Sequence, residues 1–238
     1  MKIYKFVQPA ILSLMLPFAC AANAMEPQGE PPLEIKDYYY VTIKGGVDQP
    51  TKLGGSSHMN TGDATYTGGI AAGTKFFDIF GAEAEYTHAG KRKYNNTSAG
   101  VAGSPQSASS WGVTSDSLMV NLSADLFSEG KIIPYVKAGL GVSRNKTDRY
   151  VFTTSSNNYT YAGKTATSFA WQVGAGLNLA SSMLFDTQIQ YMFTNHGTIK
   201  TASGYTQTPS IGNSITSAPA ITGRLRDHVI TVGITVRF

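Results

Sequence analysis

Four histidines are the side chains in this sequence best suited to acid–base chemistry or metal binding. They stand far apart in the chain, at His58, His88, His196 and His228. Asp227 directly precedes His228, and a carboxylate–imidazole pair can activate a water molecule or a nucleophile. Neighbouring residues of a β-strand point to opposite faces, so this pair cannot act together if the segment is a strand. We therefore expect solvated or interfacial histidines, no catalytic residue, no metal site and no cofactor.

Clustered cations are the second chemical signal. They occur in two segments that are rich in Ser, Thr, Asn and Gly, which is the composition of connecting loops. Positive charge concentrated in this way attracts anionic ligands by electrostatic steering. The candidate ligand-binding residues are Lys91, Arg92, Lys93, Arg144, Lys146 and Arg149.

The N-terminus has the organisation of a secretory signal peptide. Lys2 and Lys5 give a basic start, residues 10–22 are mostly apolar, and Ala22-Asn23-Ala24 is a small-x-small cleavage pattern. We predict a signal peptide over residues 1–24 and a Pro- and Glu-containing lead over residues 25–37. The one cysteine, Cys20, falls inside the predicted signal peptide, so no disulfide is expected in the mature protein.

The remainder, residues 38–238, has the pattern of β-strands. Only 14% of the residues are charged, against about 25% in an ordinary soluble domain. Apolar and polar side chains alternate with a period of two, most clearly from Ile230 to the terminal Phe238. The predicted strands are residues 39–47, 66–77, 81–88, 118–126, 132–143, 169–178, 184–193 and 230–238.

Short and long connections alternate between these strands. The short ones lie near residues 78–80, 128–131 and 180–183, and the long ones near residues 48–65, 89–110, 144–164 and 194–223. Transmembrane β-barrels have this asymmetry, with short periplasmic turns and longer extracellular loops. We therefore predict an all-β fold: an eight-stranded antiparallel transmembrane β-barrel with four long extracellular loops and three short periplasmic turns.

The charges of the predicted strands fall on the face assigned to the lumen, and the face assigned to lipid carries none. A Lys or Arg in the middle of the lipid face would cost about 2–4 kcal/mol, which favours this assignment. Eight strands enclose a space that side chains can fill, so we expect a salt-bridged lumen and no wide pore. The predicted lumen charges are Lys44, Lys75, Lys137, Arg237, Glu83, Glu85, Asp125 and Asp186.

Four segments carry a resemblance to a known family. They are Gly-Ala-Glu-Ala-Glu-Tyr at 81–86, Pro-Tyr-Val-Lys-Ala-Gly-Leu-Gly at 134–141, Trp-Gln-Val-Gly-Ala-Gly at 171–176 and Val-Arg-Phe at 236–238. Together with the eight strands, they resemble the OmpA-like and opacity-type outer-membrane surface antigens. The resemblance implies a bacterial outer-membrane location, with loops at the cell surface and termini in the periplasm. It also implies that Phe238 belongs to the signal read by the outer-membrane insertion machinery.

Two functions stay open. The favoured one is a surface protein whose extracellular loops bind host or envelope ligands, as an adhesin or surface antigen. The alternative is a structural outer-membrane protein or a narrow porin without an adhesive role. Expected partners are outer-membrane lipid and lipopolysaccharide, the insertion machinery, and a host-cell surface or matrix protein or an anionic glycan; nucleic acid is not expected.

An enzyme is not expected. The outer-membrane proteases use ten strands and further acidic residues that have no counterpart in this pattern. A lipid A deacylase needs a serine, a histidine and an acid on the lipid face, and no His-x-Ser spacing accompanies the outward-facing His88.

Overall fold

The computed structural model describes residues 37–55, 61–77, 79–98, 107–127, 130–153, 157–180, 185–208 and 215–238. The predicted signal peptide, and the predicted lead apart from Asp37, lie outside the described residues. All strand pairings are antiparallel. The strands are β1 (Tyr38–Pro50), β2 (Gly54–Gly55), β3 (Thr65–Phe76), β4 (Phe80–Ser98), β5 (Ser107–Asp125), β6 (Ile132–Thr147), β7 (Tyr150–Thr153), β8 (Asn158–Tyr161), β9 (Thr165–Ala180), β10 (Phe185–Lys200), β11 (Tyr205–Thr208), β12 (Ile215–Thr216) and β13 (Thr222–Arg237).

Eight long strands form a closed ring. The order is β1–β3–β4–β5–β6–β9–β10–β13, and β13 pairs again with β1. At the closure Tyr40 lies opposite Arg237, and the hydroxyl oxygens of Thr42 and Thr235 are 2.8 Å apart. Hydrocarbon offers no hydrogen bonds to a backbone, so a sheet in lipid must close on itself. The predicted eight-stranded antiparallel barrel is confirmed.

The described part of the chain contains no helix that is long and apolar enough to span a membrane.

The outward face of the ring is a continuous apolar band, termed the apolar belt below. Ile43 is 67% exposed and Val120 is 65% exposed, while their strand neighbours point inward and are buried. A contiguous apolar surface of this size is unfavourable in water and is covered by lipid in a membrane barrel. On the side of the longer connections, the last large apolar residues of the belt include Tyr66, Tyr86, Leu118, Val142, Phe169 and Ile230.

The barrel has two different rims. At the short-turn rim, β3 joins β4 through Phe77 and Ile79, and Asp37 Oδ1 accepts a hydrogen bond from Phe77 N at 3.2 Å. Phe238 and Tyr39 exchange backbone hydrogen bonds of 3.0 and 3.1 Å at this same rim. The opposite end is termed the long-loop rim. Both ends of the described chain therefore lie at the short-turn rim.

At the long-loop rim the strands continue past the belt. β4 runs to Ser98, β5 begins at Ser107 and β6 runs to Thr147, so the loop boundaries predicted at residues 89–110 and 144–164 are wrong. Apolar alternation ends where lipid ends, but a backbone ladder needs only hydrogen bonds and continues through polar residues. Residues predicted in loops that lie on strands are Lys91, Arg92, Lys93, Arg144 and Lys146.

A small hydrophobic core, termed the loop core, joins the strand extensions at this rim. Trp111 packs edge-on against Tyr150, with ring centroids 5.7 Å apart. Burial raises the pKa of Tyr150 and, to a greater extent, that of Tyr94. The strands β7, β8, β11 and β12 form a sheet that continues from β5 beside this core. The loop core consists of Leu53, Tyr94, Trp111, Val113, Tyr150, Ile199 and Leu225.

Candidate functional site

Two ion pairs occupy the lumen near the short-turn rim. Arg237 Nε donates to Asp186 Oδ2 at 2.6 Å, and its Nη2 bonds the other carboxylate oxygen. Lys75 pairs with Asp125. The guanidinium of Arg237 also lies 5.3 Å from the ring centroid of Tyr38, within range of a cation–π interaction. Tyr38, Lys75, Asp125 and Asp186 line a cavity in this part of the lumen.

A four-charge cluster fills the middle of the lumen. Lys44 Nζ lies 2.6 Å from Glu85 Oε1, while Lys137 bonds Glu83 and lies 3.1 Å from Glu85 Oε2. Asn121 Nδ2 donates to Glu83 at 2.9 Å and to Glu85 at 2.8 Å. A buried charge costs several kcal/mol without a partner, and this cluster contains equal numbers of cations and carboxylates. All eight predicted lumen charges lie inside the barrel, each beside a group of opposite charge.

Glycines make room for this filling. A Cβ added at Gly139 would collide with Asn121 Oδ1, and one added at Gly176 would lie 2.5 Å from the ring of Tyr135. Large polar side chains on one strand therefore occupy the space left by glycine on the next strand. The cross-section is closed by packing as well as by charge pairing.

Arg92 lies inside the barrel, near the long-loop rim. Its Nη2 is 2.5 Å from Asp48 Oδ2 and 2.5 Å from Asp227 Oδ2, and its side chain is 0% exposed. Its Nη1 donates to Ser115 Oγ at 3.2 Å. The prediction that Arg92 is an exposed ligand-binding residue is therefore wrong.

A β-bulge explains the position of Arg92. The register between β4 and β5 shifts between Ala89 and Arg92. The extra residue reverses the alternation set by the outward-facing His88, so that Lys91 and Lys93 face outward and Arg92 faces inward. The triplet is thus divided between the two faces of the sheet.

His196 brings a serine and a carboxylate together. Ser117 Oγ lies 3.0 Å from His196 Nδ1, and Asp227 Oδ2 lies 2.9 Å from His196 Nε2. These are the groups of a hydrolytic triad, but all three are buried and Arg92 binds the same oxygen of Asp227. Within the described residues, none of the three lines the lumenal cavity or the groove on the lipid-facing side of β1, β3 and β4. The three side chains form part of the polar filling of the lumen.

The other histidines within the described residues lie at the edge of the belt. His228 faces away from Asp227 and stacks on Tyr191, whose hydroxyl is 2.6 Å from His228 Nδ1. His88 Nδ1 lies 2.7 Å from Asp116 Oδ1 on the outward face. His58 lies outside the described residues. Across the described part of the chain, no group of three His, Cys, Asp or Glu side chains could hold a metal ion.

Exposed cations line the outward face of the strand extensions. Lys91 and Lys93 project from β4, Arg144 and Lys146 project from β6, and Arg149 follows β6. Lys91 pairs with Asp148. Five of the six candidate ligand-binding residues are therefore accessible, on the side of the barrel just beyond the belt.

Two further arginines were missed by the sequence reasoning. Arg224 and Arg226 are exposed on β13, where they alternate with the inward-facing Leu225 and Asp227. The signal was present, because the period of two in the segment from Ile230 onward extends backwards through these residues. The predicted strand began at Ile230 because the outward face stops being apolar there.

A closed ring of eight strands, an outward apolar belt and a charge-paired lumen together define a transmembrane β-barrel of the outer-membrane type. The chain belongs to the outer membrane protein beta-barrel domain family, whose model matches residues 11–238. Its expected location is accordingly the bacterial outer membrane. No curated protein matches the sequence.

Solved structures of similar fold include small outer-membrane barrels. Neisserial surface protein A is 17% identical, with a TM-score of 0.51, and the match covers 86% of this chain and 100% of that chain. The N-terminal β-barrel domain of OprF from Pseudomonas aeruginosa is 12% identical (TM-score 0.43; 85% and 100% covered). Ail of Yersinia pestis, in complex with the heparin analogue sucrose octasulfate, is 9% identical (TM-score 0.45; 86% and 100% covered). At 17% identity, the likeness to Neisserial surface protein A establishes the fold alone.

Proposed function

We propose that the barrel is displayed at the bacterial surface, with the long-loop rim outside and the short-turn rim in the periplasm. The asymmetry of the rims supports this orientation, because outer-membrane barrels have short periplasmic turns and longer outer connections. Both ends of the described chain, at Asp37 and Phe238, then lie in the periplasm. The loop core and the exposed cations then face the exterior.

Its function is to bind anionic ligands at the long-loop rim, as an adhesin or surface antigen. The observation that carries this proposal is the group of exposed cations on β4 and β6, chiefly Lys93, Arg144 and Lys146, together with Arg149 after β6. Cations concentrated on one side of a rim raise the local concentration of anionic partners and speed their association. The ligand class is an anionic glycan or an acidic patch on a host-cell surface or matrix protein.

Filling of the lumen supports binding at the rim over transport or catalysis. The three polar layers, around Arg237, Lys137 and Arg92, occupy successive levels of the interior. A permeating ion would have to separate buried ion pairs, each of which is costly to break. We therefore propose that the protein is not an enzyme and that the folded barrel does not conduct.

Adhesion by a non-adherent bacterium displaying the protein tests the proposed function. The test variant is Lys93→Ser with Lys146→Ser, and the matched control is Lys52→Ser with Lys200→Ser, which removes two exposed lysines outside β4 and β6. Arg92 is left intact because it is buried. We expect the test variant alone to lose adhesion to immobilised heparin-like glycan and to matrix protein, at equal surface display.

The result that would overturn the adhesive role is equal adhesion by wild type and by the Lys93→Ser, Lys146→Ser variant. An equal loss of adhesion in both double variants would indicate that diffuse surface charge, and not a defined patch, binds the ligand. Salt dependence provides a further check, because exposed charge interactions are screened within about 8 Å at physiological ionic strength. Binding that is unaffected by salt would contradict an electrostatic mechanism.

A structural role without adhesion is the second candidate, and the charge-paired, close-packed lumen favours it over a narrow porin. Conductance of the purified protein in planar bilayers separates these possibilities. A closed barrel gives no steady current, whether its role is adhesive or structural. A stable, ion-selective conductance would contradict the closed lumen and favour the porin.

The orientation has its own test. Cys20 is the only cysteine in the chain and falls in the predicted signal peptide, so single cysteines can be introduced and labelled. Lys164→Cys at the long-loop rim should react with a membrane-impermeant maleimide on intact cells. Lys131→Cys at the short-turn rim should react only after the cells are lysed. The reverse pattern would overturn the orientation.

A further inference from the structure

Two adjacent outward positions of β13 carry arginine directly beyond the apolar belt. Arg224 and Arg226 are both exposed, and residues two apart on one face of a strand are about 7 Å apart. The same face continues towards the short-turn rim through His228, Ile230 and Val232. The outward face of β13 therefore passes from lipid-facing apolar side chains to two guanidinium groups.

These arginines have no carboxylate partner among the described residues. Neither takes part in any of the ion pairs that the described residues form. The accessible carboxylates of the long-loop rim, Asp63, Asp116 and Asp148, belong to segments around β3 to β6, on another part of the wall. The local excess of positive charge on β13 is therefore uncompensated by the protein itself.

The residues opposite the arginines on β10 are polar and uncharged. Thr198 lies opposite Arg224, and Asn195 lies opposite Arg226, on the neighbouring strand β10. On the other side, the Thr51 hydroxyl donates to the Arg226 carbonyl at 3.1 Å. The Thr198 hydroxyl and the Asn195 amide suit a tetrahedral oxyanion better than an apolar ligand, because they provide additional hydrogen-bond donors beside the arginines.

We propose that Arg224 and Arg226 bind the phosphate groups of a phosphorylated glycolipid of the outer leaflet, of the lipid A class. A guanidinium group presents parallel donors that match phosphate oxygens in a two-pronged geometry. The acyl chains of the same lipid then lie against the belt residues below, around Ile230 and Val232. The site rests on the proposed orientation of the barrel and is independent of the adhesive role of Lys93 and Lys146.

A lipid phosphate fits this place better than a soluble polyanion. The arginines project sideways from the wall, and Arg226 lies only four residues from Ile230, the last large apolar belt residue on β13. This level corresponds to the boundary between acyl chains and head groups in a barrel whose belt matches the hydrocarbon thickness.

Lipid binding by the folded protein in neutral detergent micelles tests the proposal by native mass spectrometry. The probes are diphosphorylated lipid A, the same lipid with both phosphates removed, inorganic phosphate and a sulfated oligosaccharide. Wild type is compared with the double variant Arg224→Gln, Arg226→Gln and with the charge-matched double control Lys131→Gln, Lys164→Gln. Both pairs are exposed, and a heat-dependent gel shift verifies that each variant is folded.

We expect the arginine variant to bind diphosphorylated lipid A at least about tenfold more weakly, because charge-assisted hydrogen bonds to both phosphates are lost. The control should bind as wild type does, and the dephosphorylated lipid should bind all three proteins equally weakly. An Arg224→Lys, Arg226→Lys variant should recover only part of the affinity, since lysine retains charge without the forked geometry.

Three results would overturn the proposal. Equal weakening of lipid A binding in the Arg→Gln double variant and in the Lys→Gln control would indicate diffuse charge rather than a site. Equal affinity of wild type for lipid A with and without phosphates would show that the protein does not recognise the phosphate groups. Binding of inorganic phosphate or of the sulfated oligosaccharide as tightly as the lipid would exclude the membrane lipid as the specific ligand. Adhesion assays on the Lys93 and Lys146 variant report separately on the proposed function.

Discussion

Replacing Arg92 by serine should destabilise the whole barrel. The substitution removes the cation that bridges Asp48 and Asp227, and both carboxylates stay buried. Each carboxylate oxygen lies 2.5 Å from the same Arg92 nitrogen, so the two oxygens are at most about 5 Å apart. At an effective dielectric constant of about 20, two charges at that separation repel by about 3 kcal/mol.

This repulsion agrees with what is generally lost when one partner of a buried ion pair is removed, about 3–5 kcal/mol. We therefore expect Arg92→Ser to lower the free energy of unfolding by about 3–5 kcal/mol. Urea unfolding of the protein in lipid vesicles measures the change, followed by tryptophan fluorescence and by the heat-dependent gel shift. The exposed neighbour provides the control, and Lys93→Ser should change stability by less than about 1 kcal/mol.

A compensated variant separates charge from packing. Arg92→Met combined with Asp48→Asn and Asp227→Asn leaves no uncompensated charge in this cluster, so it should recover most of the lost stability. Stability of Arg92→Ser within about 1 kcal/mol of wild type would refute the assignment of Arg92 as a buried bridging cation. Failure of the triple variant to exceed Arg92→Ser would show that shape, and not charge, dominates at this level of the lumen.

Three further predictions concern packing, depth and assembly. Gly139→Val should push a branched side chain against Asn121 and lower the free energy of unfolding by about 1–3 kcal/mol in the same urea assay; an unchanged midpoint would mean the lumen is not close-packed there. In single-tryptophan variants, brominated lipid should quench Trp171, which faces the lipid side, and spare Trp111 in the loop core; equal quenching would contradict the edge assigned to the belt. Phe238→Ser removes a 71%-exposed terminal side chain and should slow insertion in cells, measured as the fraction of heat-modifiable protein after a pulse; wild-type insertion kinetics would exclude the terminal phenylalanine as a signal.

The membrane-facing part of the fold was accessible from sequence because lipid constrains every second residue. In the segment ending at Phe238, Ile230, Val232 and Ile234 all face lipid, and any charge there would carry a large cost. The same constraint places Lys44 and Lys137 on the inner face from the sequence pattern alone. Partner choice within the lumen was not accessible, because it depends on which strands meet across the barrel.

Two β-bulges limit how far the inward and outward faces can be predicted from sequence. One shifts the register of β4 between Ala89 and Arg92, and the other shifts β10 between Asn195 and Gly197. The first bulge brings Arg92 into the lumen, whereas His196 keeps the inward face of Met192 and Thr194, and the second bulge changes the face only beyond it, where Ile199 is buried. A bulge inserts one residue without a characteristic composition at these positions, so strict alternation assigns the wrong face beyond it.

The closing strand β13 determines whether the barrel can be completed. β13 pairs with both β1 and β10, and it supplies Arg237 to Asp186. A polypeptide that is truncated before β13 would present two open edges and an unneutralised carboxylate, whichever of the earlier strands had already formed. The preceding strands can therefore become a closed membrane barrel only when β13 is present, and without it they are a substrate for proteases. Proteases of the envelope can therefore distinguish complete from incomplete barrels by whether β13 is paired with β1 and β10.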